Sequence, residues 1–223
     1  MTFIPPSTLA FLIDLSINNN IDWFAENKPR YETIKTNFKG FGNLLLEEMN
    51  KIDHIDRLKV HRIYRDVRFS KDKTPYRNYL GCSLLRATKL LRGGYYLHIE
   101  SGNSFLGGGF WGPNKEDLGR IRQEIAFDAQ SLRDIINHEN FKKTFGELKG
   151  DKVKTAPRGY AKDHESIDLL RYKQFLLRQR FTDEEVTNPD FLEKVVNGLQ
   201  AMRPFFNYMS DVLTTDENGV LIV

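Results

Sequence analysis

The hydrophobic period of this chain changes twice, and those two changes restrict its fold more than any other feature. Up to about Leu58 the apolar residues recur at helical steps. From there to Trp111 they alternate, and after Asn114 the helical step returns. In the first segment Leu9, Leu12 and Leu15 follow Pro5-Pro6, with Ser7 as the expected N-cap and Asn18-Asn19-Asn20 as the end. Asp22 is expected to cap a short turn carrying Trp23 and Phe24. After Pro29, Tyr31, Ile34, Phe38, Phe41, Leu45 and Met49 form one stripe of period 3.6, which belongs to a core.

The middle segment reads as strands at 60–65, 79–85, 95–101 and 104–111, rich in aromatic and β-branched residues. Ser101-Gly102-Asn103 joins the last two as a tight hairpin, and such short links favour antiparallel neighbours. Asn114 then caps a helix with Leu118, Ile121 and Ile125, and helical pieces continue to about Phe145. Residues 146–165 are polar and broken by Gly150, Pro157 and Gly159, which marks a long loop or a subdomain boundary. The segment 167–181 is ambiguous, since Leu169-Leu170 with Tyr172 suits a helix and Phe175 to Phe181 suits a strand. Thr182 to Glu185 has capping-box spacing, and Asn188-Pro189 should open the last helix. Pro204 should kink or end that helix. The tail after Thr215 is read as loose, with a further strand possible over 220–223. Helices, then strands, then helices predict an α+β fold with a mainly antiparallel sheet, in a single domain over 1–223.

With 223 residues the chain has ample length for a core, and its single cysteine, Cys82, excludes an internal disulfide or a cysteine-rich zinc site. Cys82 lies between Gly81 and Ser83 in an apparent strand and reads as a buried core thiol. No window approaches the roughly 20 apolar residues of a membrane span. Nor does the start carry the basic and apolar regions of a signal peptide. A cytoplasmic protein with no membrane association is expected. None of the five histidines has H-x-x-x-H spacing, and neither a phosphate loop nor a dinucleotide fingerprint is present, so no metal and no cofactor is expected.

Charge is distributed unevenly. Between Arg62 and Arg77 stand six cations (Arg62, Arg65, Arg68, Lys71, Lys73, Arg77) and two carboxylates (Asp66, Asp72), a balance of 6 − 2 = +4 in a chain whose formal net charge is +3. If extended, Arg62, Tyr64, Asp66 and Arg68 share one face. Arginine's planar fork suits two-point contact with phosphate or carboxylate, Lys73 adds a point charge, and Tyr76 offers a hydroxyl. The competing reading is a structural network in which Asp66 and Asp72 neutralise arginines and fix a turn.

The string R-x-x-R-D-x-R-F-S-x-D-K-x-P-Y, running from Arg62 to Tyr76, resembles the signature of a conserved hypothetical family of bacteria and fungi, domain of unknown function 2461. Trp23-Phe24 with Asn27 and Tyr31, Gly107 to Trp111, Pro157-Arg158-Gly159-Tyr160, Asp163-His164 and Leu169 to Lys173 fit it as well. The resemblance covers nearly the whole chain. It implies one full-length domain and places the site on the same residues, but it brings no activity with it.

The expected site therefore comprises Arg62, Arg65, Asp66, Arg68, Lys73 and Tyr76, with Gly108 and Lys173 as further ligand contacts. Gly107-Gly108-Gly109 either lets a ligand approach the backbone or forms a bulge packed against Trp111. Beside the basic stretch, this strand would leave open space above Arg62 and Arg68. His164, between Asp163 and Glu165, is the candidate acid–base if the protein is an enzyme, though the same tripeptide makes a good helix start. The expected partner is a small anionic or phosphorylated ligand. A nucleic acid using Tyr64 and Phe69 is the alternative partner.

Overall fold

A computed structural model describes residues 2–216 and 218–222. The first helical segment forms α1 (Pro6–Ile17), α2 (Ile21–Glu26) and α3 (Lys28–Met49). The proline at the first turn of α1 makes Pro5 its N-cap residue, so Ser7 lies inside the helix and caps nothing. Asn20 caps α2 by accepting from the Trp23 N–H, the role expected of Asp22. The stripe on α3 is buried as its period predicts, with Phe38, Phe41, Leu45 and Met49 all at most 2% exposed. Each such side chain contributes roughly 1.5 to 3 kcal/mol by leaving water.

The strands are β1 (Ile55–Val60), β2 (Leu80–Arg86), β3 (Gly94–Ile99), β4 (Ser104–Phe110) and β5 (Phe175–Phe181). They form one antiparallel sheet in the order β1-β2-β3-β4-β5, so each strand lies beside its neighbour in sequence. Between β4 and β5 run α4 (Lys115–Phe127), α5 (Gln130–Asn137), α6 (Glu139–Phe145) and the single turn α7 (Ile167–Leu170). After β5 come α8 (Asp183–Thr187), α9 (Phe191–Ala201) and α10 (Arg203–Thr214). The ambiguous segment 167–181 thus divides into a helical turn followed by a strand. The capping box Thr182–Glu185 opens α8 with both of its hydrogen bonds made. Pro204 ends one helix and occupies the first turn of the next.

Two further expectations are corrected. The strand expected at 60–65 lies at 55–60, because the charged residues that follow leave the sheet. Among the described residues the tail makes an isolated bridge, Thr215 to Leu221, in place of a strand, and Val223 lies outside them.

The chain divides into two compact units, Met1–Leu85 with Tyr95–Leu106 and Arg180–Asn197, and Arg86–Gly94 with Gly107–Gln179 and Gly198–Val223. Residues 146–165 fall inside the second. The core of the first unit joins the α3 stripe to α9, where Phe41 stacks on Phe191 with ring centroids 5.6 Å apart. In the second, Phe110 meets Phe205 and Phe206 edge-on. Gly109 is required where β4 meets β5. Its φ is +124°, and a Cβ there would stand 2.1 Å from the Phe175 carbonyl oxygen.

Candidate functional site

Between β1 and β2, residues 61–79 leave the sheet as a narrow finger. The His61 N–H donates to the Gly81 carbonyl (2.8 Å), Arg77 to Ile63 (2.8 Å) and Arg65 to Pro75 (2.9 Å), so the two legs of the finger remain paired. Its base is seated on the helices of the first unit. Asn19 clamps the backbone of Tyr76 from both sides, Oδ1 accepting from its N–H at 3.1 Å and Nδ2 donating to its carbonyl at 2.9 Å. The Tyr76 ring stacks on Phe24 with centroids 3.9 Å apart.

At this base lies a cleft of roughly 630 Å³, within the range of small-molecule sites. Its walls are Ser16 and Asn19 on one side and Arg62, Arg65, Asp66, Asp72, Thr74 and Tyr76 to Tyr79 on the other. Arg62, Arg65, Asp66 and Tyr76 are therefore brought together. Arg68 and Lys73 are not among the lining residues. Arg68 forks onto the Asp66 carboxylate at 3.0 and 2.7 Å, and Lys73 donates to the Val67 carbonyl at 2.9 Å.

The cations of the cleft differ in what they already hold. Arg65 donates to the Asp72 carboxylate at 2.5 Å and also to the Thr74 hydroxyl and carbonyl. Among the described residues, the guanidinium groups of Arg62 and Arg77 donate no hydrogen bond to a protein acceptor; Arg77 lies 5.6 Å over the Tyr79 ring. Asp72 is held at about 2 by the Thr74 N–H first, and then by Arg65 and the Thr74 hydroxyl. Asp66 is lowered chiefly by its bonds to Arg68. Burial raises the Tyr76 phenol, with Tyr64 adding to the effect, so it remains a protonated donor through neutral pH. The acids thus stay ionised and occupied by their own partners, while two arginines keep their donors available.

The pairs of the structural-network reading are formed, Asp66 with Arg68 and Asp72 with Arg65, and Thr74 folds back onto Asp72. Arg68 and Asp66 are 77% and 44% exposed, and pairs in that much water add little stability.

Gly108, His164 and Lys173 belong to the second unit. A Cβ on Gly108 would meet Met202 Sδ at 2.6 Å and the Phe206 ring at 2.8 Å, so packing, not open space, accounts for this glycine. Trp111, the neighbour expected to pack there, is 74% exposed. Two strands separate β4 from β1, and the glycine run does not flank the basic stretch. His164 Nδ1 accepts from the Ser166 N–H at 3.1 Å, ahead of α7, which matches the helix-start reading. Lys173 lies 3.8 Å from Asp151. Cys82 is buried, and desolvation pushes its thiol up to about 12. Among the described residues no cluster of His, Cys, Asp and Glu is placed to hold a metal ion. Among the described residues, too, no helix is long and apolar enough to cross a membrane.

Sequence reasoning missed Asn19, Asn78 and Tyr79, and it counted Arg77 without placing it in the site. Asn19 read only as part of a helix-ending run, and no local pattern shows that it clamps a residue 57 positions away.

The family model described as "Conserved hypothetical protein (DUF2461)" matches residues 7–208. No curated protein and no solved structure matches the chain.

Proposed function

We propose that the chain, which belongs to the DUF2461 family of conserved hypothetical proteins, binds a small anionic ligand in the cleft at the base of its finger. One observation carries this reading. Arg62 and Arg77 line the cleft with no protein acceptor for their guanidinium groups, whereas the neighbouring acids already have partners. A phosphate or carboxylate supplies what the two forks lack, and two-point contact with arginine is the strong form of that bond. Tyr76 and Arg65 stand at the same wall, the first as a neutral donor and the second as a fixed positive charge. Arg68 and Lys73 shape the finger and do not touch the ligand.

Thermal shift with inorganic phosphate, citrate and a set of sugar phosphates tests this. A ligand at 100 times its dissociation constant adds roughly 2.7 kcal/mol to stability. The response should vanish in the double variant Arg62→Gln/Arg77→Gln and persist in Arg68→Gln. An equal response in all three proteins would show that the cleft is not the site.

A nucleic-acid reading has one observation in its favour: Phe69, at the finger's tip, is 95% exposed with the Arg68 guanidinium 5.9 Å over its ring. Retardation of single-stranded probes that weakens steeply with salt would support it. With Arg68 and Lys73 already committed to protein acceptors, few cations remain at the tip for phosphates.

A further inference from the structure

The cleft holds more hydrogen-bond acceptors than an anion alone can use. The Ser16 hydroxyl directs its proton to the Ile13 carbonyl at 2.7 Å, so its oxygen is left to accept. Asn78 donates through Nδ2 to Glu100 at 2.8 Å, which leaves its own carbonyl oxygen to accept. Oδ2 of Asp66 takes one bond, from Arg68 at 2.7 Å, and Oδ2 of Asp72 takes one, from Arg65 at 2.5 Å. Each of those oxygens has room for a second donor. All four residues line the cleft. Phosphate and carboxylate oxygens cannot donate to any of them, whereas hydroxyl groups can.

The same side chains set the charge. Asp66 is paired with Arg68 and Asp72 with Arg65, so the uncompensated charge at the cleft is that of Arg62 and Arg77. Two positive charges match one dianion. A phosphate monoester is a dianion at neutral pH, because its second pKa is about 6, and so is a dicarboxylate. An amine would add to the excess of positive charge, so hydroxyls and not ammonium groups suit the acceptors.

The rings of the cleft are already engaged. Tyr76 has Phe24 stacked on it at 3.9 Å and Tyr64 at 5.5 Å. Tyr79 has the His98 ring at 4.2 Å and the Arg77 guanidinium 5.6 Å over it. A nucleobase would have to displace one of these neighbours to stack. What the two tyrosines have to give is their hydroxyls, and among the described residues neither bonds to protein. Volume points the same way: at roughly 630 Å³ the cleft exceeds what inorganic phosphate fills, since a water molecule takes only ~30 Å³.

We propose that the ligand of this cleft is a polyhydroxylated dianion, a sugar or other polyol carrying one phosphate monoester or two carboxylates. This rests on the anion reading and narrows it. The anionic group takes the donors of Arg62 and Arg77. The polyol hydroxyls donate to Ser16, Asn78 and the Oδ2 atoms of Asp66 and Asp72, and accept from Tyr76 and Tyr79.

The test is isothermal titration calorimetry with inorganic phosphate, phenyl phosphate, the monophosphates of glycerol, glucose and inositol, and glucarate, a sugar dicarboxylate. The best polyol should bind about tenfold or more tightly than inorganic phosphate and phenyl phosphate, the gain of two or three ordinary hydrogen bonds. Glucarate against the monophosphates tells which anionic group the arginines take. Ser16→Ala/Tyr79→Phe removes two oxygens and no ring, and in it the ratio of the best polyol's affinity to that of inorganic phosphate should fall about fivefold. Phenyl phosphate binding as tightly as the best polyol overturns the polyol assignment and leaves the anion site standing, as does an unchanged ratio in the double variant. If none of the probes binds, the anion reading fails and takes the polyol assignment with it.

Discussion

Arg77 lies with its guanidinium 5.6 Å over the ring of Tyr79, and that contact joins two neighbourhoods of the first unit. On one side is the cleft both residues line. On the other, Tyr79 packs against His98, and Arg77 sets the field felt by His61. A cation held over an aromatic face keeps its N–H edge available, because the ring engages the flat face of the guanidinium.

The first prediction follows from His61. Its pKa is lowered by burial first and then by Arg77 and Lys59. Arg77→Gln removes the second cause, so the His61 titration should move upward, part of the way to the ordinary histidine range. Proton NMR of the imidazole checks this, and an unchanged midpoint would place Arg77 elsewhere in solution. The sign for stability is fixed as well. A histidine whose folded pKa is depressed takes up protons more readily when unfolded, so its contribution to folding declines as pH falls through about 6.5. Arg77→Gln should make the protein less sensitive to that fall.

A second prediction separates the finger's exposed pair from its cleft. Asp66→Asn and Arg68→Gln break the fork between those side chains, which solvent already reaches. Their melting temperatures should match the parent protein, since exposed pairs carry little stability. A large loss in either variant, measured by calorimetry, would restore the structural-network reading.

Legibility in the sequence followed the range of the interaction. The α3 stripe, the Asn114 cap and the Thr182–Glu185 capping box depend on neighbours within about a turn, and all three appear as read. β5 stayed ambiguous because only its place beside β4 decides between strand and helix. The cationic composition of 62–77 was visible, but the division between occupied and available arginines was not. That division depends on where Asp66, Asp72 and Thr74 fold back.

Asp72 supplies the third prediction. Its carboxyl is held at about 2 by the Thr74 N–H, Arg65 and the Thr74 hydroxyl, against roughly 3.9 for a free aspartate. A depressed carboxyl pKa means that the ordering it provides is complete above about 4 and is lost as pH falls toward 2. The finger should therefore loosen locally in that window. Hydrogen exchange of the Thr74 amide, followed from pH 5 to 2, should show protection decreasing with acid. In Asp72→Asn that pH dependence should be absent.

Cys82 offers a direct check on the core of the sheet. Its thiol is buried and raised to about 12 by desolvation, and thiolate is the reactive form. A disulfide reagent such as DTNB at pH 8 should leave the folded protein unlabelled and label one thiol per chain after denaturation. Rapid labelling without denaturant would mean that β2 opens readily.

The last prediction concerns Gly109, where backbone conformation and packing act together. At a φ of +124° an L side chain is strained, and the added Cβ would stand 2.1 Å from the Phe175 carbonyl oxygen and 3.1 Å from Leu176 Cα. Both obstacles are backbone, so no rotamer change relieves them; β4 and β5 must separate. The left-handed conformation costs roughly 1 to 2 kcal/mol and overpacking roughly 1 to 3 kcal/mol. Gly109→Ala should therefore lose about 2 to 5 kcal/mol in urea unfolding, a large share of the roughly 5 to 15 kcal/mol that holds a domain folded. Gly102→Ala is the control. That glycine also has a positive φ, +71°, but nothing lies within 4 Å of its Cβ position, so only the conformational cost applies. The difference between the two variants measures the contact at Phe175. Equal losses would mean that β4 and β5 are not as close at that point as the structure has them.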